Sequence, residues 1–338
     1  MDGQHPEIVS RVWNAIELGP TAAYIEIDGF AITGNDQNVS RESALRRGSA
    51  DKPAPDPTYD GNCISIDGRK GTATSRPHHI RILNNVIGNC GGGGISTIQA
   101  DYITISANTV YNSAWYSIYG CSGISTLEDW NSDDSTATKM VITENRVFDN
   151  RELVPWSARG KITDGEGIIV DTSRSPTLGN YRGRTLIADN VLYRNESAAI
   201  EVFRSDHVDI LNNSTNLDLQ VPQVSGNGEL NLNDATDVKA ANNIFVSAAN
   251  YNLSSSIRTS RATVHCRPTS FTAGRANHAE ARAETLCMPI HNTSAPPICD
   301  SQRAPRPPVL RKIDGQCLRI LWTLPPQRRS VGPRGIST

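Results

Sequence analysis

The chain has 338 residues with 33 Lys+Arg against 35 Asp+Glu, a net charge of −2. That balance leaves no electrostatic footprint for nucleic acid, and no run of 18 or more apolar residues is present to span a membrane. The average hides a split: residues 254–338 hold 13 Lys+Arg against 4 Asp+Glu, with 10 of the 19 prolines and 4 of the 7 cysteines.

The opening "MDGQHPEIVSRVW" lacks the basic and apolar regions of a signal peptide. The first strand-like run is "YIEIDGFAI" at residues 24–32. A phrase of the form apolar-x-apolar-x-x-Asn-x-apolar then recurs down the chain. It reads "IRILNNVI" at Asn85, "ITISANTV" at Asn108, "MVITENRV" at Asn145 and "TLIADNVL" at Asn190. Two weaker copies follow, "VDILNNST" at Asn213 and "VKAANNIF" at Asn243. Alternating apolar residues mean strands, and a period near 23 residues is too short for two helices. A second phrase sits between the copies: "NCISID", "GGISTI", "YSIYGC", "GIIVDT" and "AIEVFR". Each unit therefore holds at least two short strands joined at Asn- or Gly-rich bends.

These features predict an all-β fold, a right-handed parallel β-helix over residues 1–253. Coils stack at about 4.8 Å, so like residues lie above like residues. The Asn at the bend forms a hydrogen-bonded ladder and is structural. The Pro/Arg-rich segment 254–338 is expected to be an irregular tail outside the β-helix, because proline cannot donate to a strand ladder. A solenoid needs a cap on its first coil; few residues precede "YIEIDGFAI", so a longer natural product is expected, with "VWNAI" (residues 12–16) as a small strand or plug. Seven cysteines without CxxC spacing suggest no metal finger, and Cys63, Cys90 and Cys121 read as small buried residues.

The six Asn phrases, "GNCISIDGR", "GGGGISTIQADYITI" and "DGEGIIVD" resemble the right-handed β-helix repeat proteins of the pectate-lyase-like superfamily, over roughly residues 20–250. The resemblance implies an extracellular or periplasmic carbohydrate-active protein with a polysaccharide as its partner. It leaves the activity open, since the fold hosts lyases, glycosidases, epimerases and tailspikes.

Aligning the second phrase puts Ile64, Ile95, Ile118, Ile168 and Ile200 inward. One outward column becomes Ser65, Ser96, Tyr119, Ile169, Glu201, and the next Asp67, Ile98, Cys121, Asp171, Phe203. Insertions at residues 126–138, 151–164 and 172–184 enlarge two adjacent coils, where long loops build binding clefts. Three readings follow. A polysaccharide lyase for a uronate-containing glycan would use Lys161 as base, with Glu201 and Tyr119 beside it. Ca²⁺ on Asp164, Glu166 and Asp171 would offset the acidic face, and Arg184 or Arg204 would hold the uronate carboxylate. Trp130, Trp156 and Tyr116 would stack on sugar rings. A glycoside hydrolase would need only a carboxylate pair such as Asp171 and Glu201. A non-catalytic carbohydrate-binding or surface protein would bind without turnover. His78, His79 and His207 each precede a strand and read as tolerated turn residues.

Overall fold

The computed structural model describes residues 5–224, 227–247, 252–257 and 263–265. The chain winds as a parallel β-helix with three sheets, each of eight strands. Sheet A stacks short strands such as Val86–Gly88, Thr109–Tyr111, Arg146–Phe148 and Val191–Tyr193. Sheet B stacks Asn62–Asp67, Ile95–Ile98, Ile124–Leu127, Ile168–Asp171, Ile200–Phe203 and Gly228–Asn233. Sheet C stacks His78–Leu83, Asp101–Ser106, Thr138–Thr143, Arg184–Ala188 and Asp206–Leu211. Every pairing between coils is parallel. The first coil contributes Asn14–Leu18 to sheet B, so part of the "VWNAI" run is a strand there.

The apolar residues of each phrase stack into columns that fill the interior. Ile64, Ile95, Ile124, Ile168, Ile200 and Leu230 form one such column under sheet B. Ile82, Ile105, Ile142, Ile187 and Ile210 form another under sheet C. All belong to one continuous core. Parallel strands pack Ile and Val well because branched side chains fit a pleated surface.

The predicted ladder is present at the bend between sheets C and A. Each Asn side chain donates from Nδ2 to the Oδ1 of the Asn in the next coil. The distances are 2.9 Å for Asn85 to Asn108, 3.1 Å for Asn108 to Asn145, 3.0 Å for Asn145 to Asn190 and 2.9 Å for Asn190 to Asn213. The same Oδ1 accepts the neighbouring backbone N–H, and the same Nδ2 reaches a strand carbonyl such as Ile105 O at 2.9 Å. The residue before each ladder Asn is left-handed, from Asn84 at φ 54° to Glu144 at φ 59°. The ladder thus holds a tight bend that L-residues adopt at a cost. Phe30, which stands where later copies have Asn, starts the ladder by donating its backbone N–H to Asn85 Oδ1.

Two expectations change. Strands Asn252–Ile257 and Thr263–His265 pair with sheets B and C, so the strand pairing of the β-helix runs past the expected boundary at residue 253. The change in composition misled because the first proline of that segment is Pro268, beyond both strands; residues 266–338 lie outside the described residues. Cys63 and Cys90 are not merely small buried residues: they form a disulfide with Cα atoms 5.6 Å apart, while Cys121 is free.

Replacing Asn145 by Ala removes bonds to two coils and strands the buried N–H of Asn108. An unsatisfied buried group costs about 1–3 kcal/mol, so loss of about 3 kcal/mol is expected, read as a lower urea midpoint by circular dichroism. An unchanged midpoint would show that the ladder does not hold the coils.

Candidate functional site

Sheet B alternates in and out, and its outward side chains form a face bordered by the insertions of neighbouring coils, here called the cleft. The strand register corrects one part of the sequence alignment. The sheet B strand of the fourth coil is Ile124–Leu127, not "YSIYGC". The outward columns are therefore Ser65, Ser96, Ser125, Ile169, Glu201, Asn231 and Asp67, Ile98, Leu127, Asp171, Phe203, Asn233. Tyr119 and Cys121 lie in the loop before that strand, with Tyr119 39% exposed and the Cys121 thiol pushed up to about 12 by burial. The repeat "GISTI"/"GISTL" at residues 94–98 and 123–127 was the signal for the correct register.

Insertions wall the floor. Along one side, residues 128–137 and 172–183 lean on each other: Asn131 Nδ2 donates to Asn180 O at 2.9 Å, and Arg182 N donates to Asn131 Oδ1 at 2.8 Å. Their anchor is Asp101. It accepts Tyr181 Oη at 2.6 Å and the Ser132 hydroxyl at 2.6 Å, and pairs with Lys139 Nζ at 2.6 Å. The Lys139 side chain is fully buried, paired also with Asp133 at 3.0 Å and lying 4.7 Å from the Tyr102 ring. Opposite, the hairpin 152–164 is closed by Trp156 N donating to Lys161 O at 3.1 Å. Its base is fixed by Glu152 Oε2, which accepts Thr163 N and Asp164 N at 2.5 and 2.7 Å. A satellite core of Ala44, Tyr116, Ile118 and Val154 packs beneath it.

Between these walls, carboxyl groups from successive coils gather. Ser122 Oγ donates to Glu166 Oε2 at 2.7 Å. Glu166 lies within electrostatic reach of Glu201 of the next coil, and Asn231 of the coil beyond, which pairs with Glu201 in the strand register, hydrogen-bonds it. Asp164 and Asp171 lie within electrostatic reach of Glu201. Glu166 is fully buried, Glu201 is 6% exposed, and Asp164 and Asp171 are half-buried. Burial is the main force that raises the carboxyl pKa values: Glu166 goes up, helped by the charge of Glu201; Glu201 goes up despite hydrogen bonds that hold it back; and Asp171 rises to about 6. The exposed Arg204, 5.0 Å from the Phe203 ring, counteracts the rise at Asp171.

The other expected site residues fall elsewhere. Lys161 is exposed on its hairpin, and among the described residues its amine makes no ion pair. Arg184 belongs to sheet C, where it binds Asp209 at 2.9 Å and Asp237 at 2.5 Å, so it does not face the cleft. Arg184 directly precedes the Asn phrase at Asn190, whose strand belongs to sheet C and not to sheet B. Tyr116 is committed to the satellite core and Trp130 is buried in the wall, each 8% exposed, so both pin loops. Trp156 sits on the hairpin with Arg159 5.2 Å from its ring. Sequence reasoning missed Glu152, which acts by closing its own hairpin, and Ser122 and Asn231, which act through contacts between coils.

Among the described residues, no group of three or more His, Cys, Asp or Glu side chains is arranged to hold a metal ion. The fully buried Glu166 carboxyl is turned to Ser122 and Glu201, so Asp164, Glu166 and Asp171 do not fit the Ca²⁺ set expected of them. Comparison with protein-family models, curated proteins and solved structures finds no match. The site therefore has to be read from its own chemistry.

Burial also lifts carboxyls outside the cleft floor: Glu152, Asp36 and Asp129 to about 8, Glu196 and Asp218 to about 7. In the unfolded chain such groups titrate near 4. Each folded-state value is raised, so each contributes stability that is full below about pH 4 and lost as pH rises through 7–8. Asp133 works in the opposite sense: bonds from Tyr102 and Lys139 hold it at about 2, so its contribution fades as pH falls toward that value. The melting temperature is expected to peak near pH 4–5 and fall by several degrees by pH 8.5. A melting temperature that climbs from pH 5 to pH 8.5 would contradict this.

Proposed function

We propose that the protein is a carbohydrate-active enzyme that hydrolyses a glycosidic bond, with Glu201 and Asp171 as its carboxyl pair. The observation that carries this reading is their diagonal placement on adjacent coils. Glu201 pairs with Ile169, and Asp171 stands two residues further along the same strand. A coil step of about 4.8 Å and a two-residue step of about 6.6 Å put the two Cα atoms about 8 Å apart with both side chains on the outward face. Side chains that leave the sheet side by side from such positions suit the carboxyl spacing of about 6.5–9.5 Å that leaves room for a water better than the roughly 5 Å of a nucleophile pair.

The raised carboxyls suit the task, because a general acid must keep its proton near the working pH. Glu201 donates its proton to the glycosidic oxygen as the C–O bond breaks. Asp171, which ionises near pH 6, takes a proton from the water that adds to the anomeric carbon. Asp171 then releases that proton to solvent, and Glu201 regains one. Arg204, beside Asp171, favours its ionised form. The lyase reading is less well supported. It needs a base with a lowered pKa and a group to neutralise a uronate, but Lys161 is exposed and Arg184 is held on another sheet. A pectate-lyase-like ancestry agrees with the stacked coils and the Asn ladder. The Cys63–Cys90 disulfide favours an extracellular or periplasmic location, where such bonds persist.

The test is a screen of neutral, amino and uronate polysaccharides, read both as new reducing ends and as unsaturated product in the ultraviolet. Reducing ends without ultraviolet absorbance are expected. Asp171→Asn and Glu201→Gln should each lower the rate on the order of 100-fold or more with the circular dichroism spectrum unchanged. Unsaturated product would restore the lyase reading. Binding without turnover on every polymer would leave a carbohydrate-binding protein.

A further inference from the structure

Asp171 ends its sheet B strand, and the chain turns at the next residue, Thr172. Successive coils make this turn in the left-handed region. The equivalent residues are Gln99 at φ 52°, Glu128 at 52°, Arg204 at 47° and Asp234 at 54°, and Thr172 stands at 51°. A turn that asks only for this backbone suits Asn, Asp or Gly. A branched Cβ crowds it, so a β-branched residue at positive φ is an outlier that its surroundings must hold. Among the described residues at positive φ, Thr172 is alone in being β-branched. Its side chain has a definite partner. Thr172 Oγ1 donates to Asp171 Oδ1 at 2.6 Å, the length of a hydroxyl bond to an ionised carboxylate. Its backbone N–H donates to Phe203 O at 2.7 Å, in the strand that carries Glu201. Asp171 is half-buried, and among the described residues no hydrogen bond reaches its other oxygen, Oδ2.

We propose that Thr172 is a positioning residue for Asp171: its hydroxyl, aimed by the strained turn, holds Oδ1 and leaves Oδ2 to take the proton of the attacking water. This rests on the hydrolase reading for its purpose but not for its geometry. The branched Cβ restricts rotation about χ1, so the hydroxyl keeps one direction where that of a serine would turn more freely. That is a return for the backbone strain. The charged groups around Asp171 are mostly acidic. Asp164 and Glu128 oppose its ionisation, Arg204 favours it, and Asp129 and Glu201 are within electrostatic reach. Of the influences that favour the carboxylate, the Thr172 hydroxyl is the largest, ahead of Arg204.

Thr172→Val keeps the branched shape and removes only the donor. The Asp171 titration is followed by carboxyl ¹³C NMR in the full chain, with the signal assigned by its loss in Asp171→Asn. In Thr172→Val it should move up by about half a pH unit or more, because a bond to the charged form is gone. On a substrate found by the screen, the acid limb of kcat/KM should move up by the same amount, since a base works only when ionised. On the pH plateau kcat should fall on the order of 10-fold with KM unchanged. Thr172→Ser, which keeps the hydroxyl, should recover most of both effects. Thr172→Gly removes hydroxyl and strain together, so it should raise the melting temperature and still show the titration of the valine variant. A lower melting temperature in Thr172→Gly would contradict the strain. An Asp171 titration identical in native protein and Thr172→Val would overturn the proposal, whether or not any glycan is cleaved, and so would a serine variant that behaves like the valine one. A shifted titration together with no cleavage of any polymer would keep the hold of Thr172 on Asp171 and remove the hydrolase reading instead.

Discussion

The hydrogen-bonded Asn ladder at one bend of every coil is the constraint on which the rest of this structure depends. Each rung fixes two things. It satisfies buried backbone groups at a bend where the preceding residue is left-handed, and it locks one coil above the next without slippage. A slip of one residue would turn every inward isoleucine to solvent and every outward side chain to the core. With register held, residues 30 or 40 apart in sequence become neighbours. Asp171 and Glu201 share one outward face only because Ile168 lies on Ile200.

A second constraint is electrostatic. A row of carboxyls in neighbouring coils would repel if all were ionised, and burying an ionised group is costly. The protein meets this with donors from adjoining coils, as Ser122 donates to Glu166, and burial raises the carboxyl pKa values so that fewer charges have to be held. Lys139 illustrates the alternative solution. It is buried, but between two carboxylates and against two tyrosine rings. Removing either partner would leave a charge in the core, which is why the Asp101 hub can hold two long insertions in place.

Much of the fold was legible in the sequence, for a physical reason. Stacking repeats the same environment in every coil, so the selection for Ile and Asn is printed as a period. The site was legible only in part. Asp171 and Glu201 could be placed on one face because strand alternation fixes their direction. Tyr119 could not, because "YSIYGC" imitates a strand phrase while the true strand, "ISTL", follows it. Arg184 begins a strand of sheet C, and only the coil geometry shows that it faces away from sheet B. Lys161 sits beside the carboxylates in sequence, but its hairpin carries it outward. The disulfide was invisible because Cys63 and Cys90 come together only when the second coil closes on the third.

The placement of Asp171 and Glu201 two residues apart on adjacent coils has a stereochemical consequence for the proposed hydrolysis. A pair about 8 Å apart admits a water between carboxyl and sugar and inverts the anomeric centre, whereas a pair about 5 Å apart forms a covalent intermediate and retains it. Proton NMR of the first-formed product, recorded before mutarotation, distinguishes the two. Inversion is the result predicted by the coil register; retention would contradict the placement of the two carboxyls on which the account stands.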